Sequence, residues 1–122
     1  MLDIEDLKNE RFEIKLEDKE KHIFKFYGMI DIKDSFGVLD PYFHQIHNEV
    51  VKNNIKEIKL DFTELQFLNS SGIKSFINLI SLIKSLPQEK QYIINAELNK
   101  SYSWQQDCFK VLSVLGQHIM KF

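Results

Sequence analysis

Few residues in this chain have the type and spacing to do chemistry. The most pointed run is Asn69-Ser70-Ser71-Gly72, which follows the apolar pair Phe67-Leu68 and opens a long amphipathic stretch. Asn and Ser are strong N-caps, because their side-chain oxygens accept from amides that a helix start leaves unpaired. A capped helix after a strand is the plain reading. The sharper one notes that free N–H groups and the helix dipole favour negative charge at this position. A serine hydroxyl there can carry a phosphoryl group without breaking its own helix, and the added charge of about −1.5 to −2 would alter the surface offered to a partner. Ser70 is the first candidate acceptor and Ser71 the alternative.

The other candidates are weaker. His44 and His47, three apart, with Asp40 one turn back, have the spacing of a partial metal site. A real one needs three or four ligands and a second shell. They are read instead as bordering the apolar stripe on its solvent side. Cys108, the single cysteine, falls on the inner stripe of a helix and reads as a small hydrophobe. Asp61 ends a strand before the serine turn, where a general base or a loop brace would sit. Gly72 stands alone, so there is no glycine-rich phosphate loop. Trp104 and the ten Phe lack interleaved basic residues and read as core. No cofactor is expected.

These residues need a scaffold. The chain has 122 residues, 43% hydrophobic and 28% charged, with net charge −2. That suits one domain with a core needing no covalent staple. One cysteine excludes an internal disulfide. The charge disfavours a nucleic-acid binder. The longest nearly apolar stretch, Ile73 to Leu86, is too short and too polar to span a membrane. The acidic N-terminus lacks a signal-peptide layout, so a cytoplasmic protein is expected.

Residues 1–11 are read as a frayed lead-in, and residues 12–122 as the domain. Phe12, Ile14 and Leu16 alternate with charged residues, predicting a half-buried strand. A second strand runs from Ile23 to Tyr27, closed by Gly28. Leu39, Phe43, Ile46 and Val50 make one helical stripe, with Asp40 as N-cap and Pro41 in the first turn. Ile55 to Phe62 predicts a third strand, and Phe67 and Leu68 two buried positions in a short connection. A helix follows from Ser70 to Leu86, stopped by Pro87. Tyr92 to Ile94 is a short strand. Ser103 and Gln106 have capping-box spacing before a third helix that ends at Gly116. Ile119 to Phe122 adds a last short strand. The expected fold is α/β, a mixed sheet of four to five strands with amphipathic helices packed on it.

The central segment resembles the STAS domain family, the bacterial anti-sigma factor antagonists and their relatives. Their fingerprint is a strand ending in Leu-Asp-Leu/Phe-Ser/Thr, an apolar pair, then Asp-Ser-Ser/Thr-Gly-Leu/Ile opening a helix. Here it reads Leu60-Asp61-Phe62-Thr63, Phe67-Leu68 and Asn69-Ser70-Ser71-Gly72-Ile73. Gly28-Met29-Ile30-Asp31 is similar to the family's Gly-x-hydrophobic-Asp. The resemblance implies a STAS-type fold and a non-enzymatic regulator of transcription. It implies phosphorylation of Ser70 by a serine kinase that is also the anti-sigma factor, and resetting by a metal-dependent serine phosphatase. Asp31, Asp61, Thr63, Asn69 and Gly72 would shape the partner surface. Asn69 stands where the family has Asp, which keeps a constitutive scaffold that is never phosphorylated as the alternative. The chain stops soon after the third helix, and the face so left makes a homodimer one expected assembly. A small enzyme using Asp61, His44 or Cys108 is the third class.

Overall fold

The computed structural model describes residues 2–122. Six strands form one sheet in the order of the chain: β1 (Leu7–Lys8), β2 (Phe12–Asp18), β3 (Ile23–Ile30), β4 (Glu57–Leu68), β5 (Ile93–Glu97) and β6 (Met120–Lys121). The first three pair antiparallel and the last three join in parallel. The parallel connections carry α1 (Ser35–Lys52), α2 (Ser70–Lys84) and α3 (Ser103–Leu115). Because strand order follows chain order, right-handed crossovers place successive helices on the same face of the sheet. This explains why strands in a parallel sheet still alternate. Phe24, Phe26, Ile58, Leu60, Ile94 and Ala96 are buried under the helices, while Lys25, Lys59, Asp61 and Glu97 line the other face.

Phenylalanines from five elements meet in the core. Phe62 (β4) stacks on Phe109 (α3) at 4.4 Å between ring centroids and lies 4.7 Å from Phe26 (β3). Phe76 (α2) lies 4.9 Å from Phe43 (α1). Tilted and edge contacts of this kind add to the area each ring buries.

Several expectations are corrected. The sheet has six strands, more than the four to five expected. The segment read as a frayed lead-in joins the core: Leu2 and Ile4 are buried, β1 pairs with β2, and Tyr42 donates to the Glu5 carbonyl at 2.8 Å. Helix α1 starts earlier than expected. Asp34, not Asp40, is its N-cap, accepting from the Gly37 N–H at 3.0 Å. Pro41 therefore lies inside the helix, and Asp40 accepts from Asn78 on α2 at 2.6 Å. The capping box at Ser103 is absent: Tyr102 is the N-cap residue and has no side-chain cap bond. Helix α2 ends at Lys84, two residues short of Leu86.

The largest correction concerns β4. It does not stop at Phe62 but runs on to Leu68. Between Lys25 and Met29, β3 advances four residues while β4 advances six, from Asp61 to Phe67, so β4 takes up two bulges. Each bulge shifts the alternation, so the buried residues fall at Phe62, Leu65 and Leu68. Phe67 is consequently turned out, 42% exposed, rather than buried. Gly28 lies opposite this irregular stretch with φ +87°, and a Cβ there would collide with the Arg11 carbonyl. Only glycine meets both demands.

Candidate functional site

Parallel β3 and β4 end side by side, with Ile30 paired to Leu68 and the Asn69 N–H donating to the Ile30 carbonyl at 2.9 Å. The chain turns directly into α2. Asn69 is the N-cap, its Oδ1 accepting from the Gly72 N–H at 2.8 Å. Its Nδ2 donates to the Ile32 carbonyl, also at 2.8 Å, tying the start of α2 to the segment that enters α1. An aspartate cannot make that second bond. The residue that departs from the family pattern therefore has a structural task here.

The two serines have different surroundings. Ser71 is half-buried, and its Oγ accepts from the Phe36 N–H at 2.9 Å. Ser70, the first residue of α2, is exposed, and its hydroxyl has no hydrogen-bond partner among the described residues. Gly72 is buried, and a Cβ on it would meet Leu68 Cδ1 at 2.5 Å and Ile30 Cγ2 at 3.0 Å. It allows α2 to sit close on its own sheet.

The remaining residues of the proposed partner surface divide into two places. Asp31 is at the same sheet end, held by Arg11 through two bonds at 3.0 and 2.5 Å. Those hydrogen bonds, and then the guanidinium charge, hold the Asp31 carboxyl below the usual carboxylate range. Asp61 and Thr63 lie elsewhere, roughly 13–17 Å back along the sheet, since Asp61 pairs with Lys25, five β3 residues before Ile30. Asp61 Oδ1 accepts from both the N–H and the hydroxyl of Thr63, at 2.9 and 2.6 Å, and so braces the bulge.

Five residues expected in the core also line an open groove near the start of α2. The groove, of about 580 Å³, opens between the end of β4, α2 and α3, lined by Phe67, Leu68, Ile73, Trp104, Asp107 and Cys108. It is almost wholly apolar, and Ile77, also exposed, continues its α2 wall. The one signal pointing to it was the broken alternation around Phe67. Gln105, next to Trp104 on α3, is fully buried. Its Nε2 donates to the Phe62 and Leu65 carbonyls at 2.7 and 2.8 Å, and its Oε1 accepts from the Asn99 N–H at 2.8 Å. Asn99 Nδ2 takes the Thr63 carbonyl at 2.9 Å. These side chains satisfy carbonyls of the stretch of β4 that runs on past its last pair with β5, Asp61–Glu97.

The candidates for catalysis or metal do not converge. His44 faces Asp40 at 3.5 Å, whereas His47 is buried with Nδ1 2.7 Å from the Tyr92 hydroxyl. This corrects the placement of His47 on the solvent side. No group of three or more His, Cys, Asp or Glu placed to hold a metal is found among the described residues. Burial pushes the Cys108 thiol up to about 11, away from the thiolate form that reacts. No described helix is long and apolar enough to cross a membrane.

No family model matches the chain, and no curated protein matches it significantly. A solved structure does: an anti-sigma factor antagonist from Mycobacterium paratuberculosis, 19% identical, covering 84% of this chain and 80% of its own, with a TM-score of 0.52. The two chains share a fold. The α/β architecture that the STAS resemblance implied is thus the architecture this chain has.

Proposed function

We propose that the protein is a non-catalytic regulator that binds a protein partner through the face around the start of α2. Phosphorylation of Ser70 controls the contact. It acts in the cytoplasm as an anti-sigma factor antagonist or a similar partner-switching protein. One observation carries this reading: Ser70 is exposed and uncommitted, while Asn69, Ser71 and Gly72 around it are all engaged in holding the turn. The apolar groove at Phe67, Ile73 and Trp104 supplies the adjoining surface that a partner would cover.

In the switch, Ser70 Oγ attacks the γ-phosphorus of ATP held by a partner kinase. The new O–P bond replaces the bond to ADP, and the hydroxyl proton leaves to the kinase's base. A phosphatase reverses this with water. Against a net charge of −2, one phosphate roughly doubles the net negative charge and places it beside the groove. A carboxylate-rich partner would be repelled and an apolar contact re-solvated. Ser71 is a poorer acceptor, since it is half-buried and esterifying its Oγ would weaken the bond it accepts from the Phe36 N–H.

Intact-mass measurement after incubation with ATP and the host's candidate kinase tests the reading. One phosphate gained, and lost in Ser70→Ala, supports it. A stable partner in pull-down with no phosphate from any host kinase would overturn the switch and favour the constitutive scaffold, the reading favoured by the missing family carboxylate at Asn69. Turnover of a substrate by the isolated protein would sink both.

A further inference from the structure

Phe36 meets two residues in the first turns of α2. Its N–H is held by Ser71 Oγ at 2.9 Å, and Lys74 Nζ lies 4.8 Å from the centroid of its half-buried ring. Asn69 holds the same segment through the Ile32 carbonyl. The entry to α1 is therefore fastened to α2 by residues 69, 71 and 74, and Ser70 lies among them with a hydroxyl that has no hydrogen-bond partner among the described residues.

Ser70 and Lys74 are four apart on α2, so they are neighbours on one helical face, with Cβ atoms about 5–6 Å apart. The Lys74 ammonium, on its flexible four-carbon stem, reaches either the ring or a group carried on Ser70. A ring attracts the ammonium only through its quadrupole, and weakly at an exposed site. A phosphate carries a nearly full dianion and accepts charge-assisted hydrogen bonds. The two cannot hold one ammonium equally.

Resting on the reading of Ser70 as the phospho-acceptor, we propose that a phosphate on Ser70 draws Lys74 off Phe36, so that the entry to α1 reports the state of Ser70. The docking face then changes at two places. Negative charge arrives at α2, and an uncovered aromatic ring appears at the start of α1. A partner that grips Phe36 together with Lys74 in the unmodified protein meets neither arrangement afterwards. Lys33, exposed beside Ile32, and Asp34, engaged in capping α1, are the other charges of this segment. Lys33 is the competing cation for the phosphate.

The test uses the full chain with phosphoserine installed at position 70 during translation, so that no kinase is needed. In the unmodified protein, the ring current of Phe36 shifts the Lys74 ε-methylene protons upfield. Phe36→Leu abolishes that shift. With phosphoserine at 70, the ε-methylene resonance is expected to move to its Phe36→Leu position, and exchange of the Phe36 amide to quicken about two- to fivefold, the loss of a weak cation–π cover. Lys74→Gln, a surface change that leaves the core intact, should reproduce the faster exchange without any phosphate. Unmoved Lys74 resonances in the phosphoserine protein overturn the proposal, as they would if Lys33 took the phosphate. Failure of every host kinase to modify Ser70 overturns only the switch reading, because this measurement does not depend on it.

Discussion

Replacing Asn69 by the aspartate of the STAS pattern should weaken the protein at neutral pH. The cap itself survives, because a carboxylate oxygen can still accept from the Gly72 N–H. The helix dipole favours the new charge by about 0.3–1 kcal/mol. Against this, the 2.8 Å bond from Nδ2 to the Ile32 carbonyl is lost, costing about 1 kcal/mol. A half-buried carboxylate oxygen then faces that carbonyl oxygen, an unsatisfied contact worth about 1–3 kcal/mol. The Ser35 hydroxyl also donates to the Ile32 carbonyl at 2.8 Å, so that carbonyl is not orphaned and the lower end of the range applies. The balance is a loss of about 1 kcal/mol. Trp104 is the only tryptophan and reports unfolding in urea, where this loss lowers the midpoint by about 0.5 M for a protein of this size. Acid should remove the deficit. A charged form disfavoured in the folded state raises the new carboxyl above its unfolded value of about 3.9, so the variant's deficit is present at pH 7 and closes as pH falls below both values. Protonated, the side chain can donate to Ile32 again. Asn69→Ala, lacking both cap and bond, should lose about 2 kcal/mol with no such pH dependence. An Asn69→Asp protein as stable as the parent at pH 7 would refute the account of why this chain carries Asn.

Two further outcomes are expected. Gln105→Leu leaves two carbonyls and one N–H unpaired, so it should cost about 3 kcal/mol in the same urea assay; a loss below about 1 kcal/mol would mean the end of β4 is held some other way. Burial, and then the neighbouring His44, hold the His47 imidazole below its ordinary range. The unfolded chain therefore binds the proton first: stability is fully present above about pH 6.5 and falls as pH drops toward the folded value. His47→Gln, which can keep a bond to Tyr92, should flatten that fall between pH 7 and 5, and an unchanged slope in the variant would assign it to other groups.

Much of the architecture was legible because local periodicity reflects which face of each element is covered. Phe12, Ile14 and Leu16 marked a strand, and the stripe from Ile73 to Ile83 marked α2, since helices on one side of the sheet leave the other side polar. The start of α2 was legible at Asn69 because capping is a contact between residues three apart. What failed depended on partners distant in the chain. Phe67 looked like core because the register shift that turns it out is a relation between β4 and β3, and the sequence carries only a broken alternation to mark it. Asp40 looked like a cap because Asn78, its partner, lies on another helix. Residues 1–11 looked frayed because the core that Leu2 and Ile4 enter is built by later elements.

The same division separates the candidate site. By itself the sequence determined the Asn-Ser-Ser-Gly turn, its place at a strand–helix junction, and the chemistry a serine there can undergo, because each follows from residue type and short-range spacing. Only the tertiary structure decided which serine is free. Ser71 is taken by the Phe36 N–H, thirty-five residues away, and Ser70 by nothing among the described residues. It also removed Asp61 and Thr63 from the turn, turned Gly72 inward against Leu68 and Ile30, and opened the groove at Phe67 and Trp104. Distances across a sheet and between crossovers are set by how the elements pack, and no short window of sequence contains them.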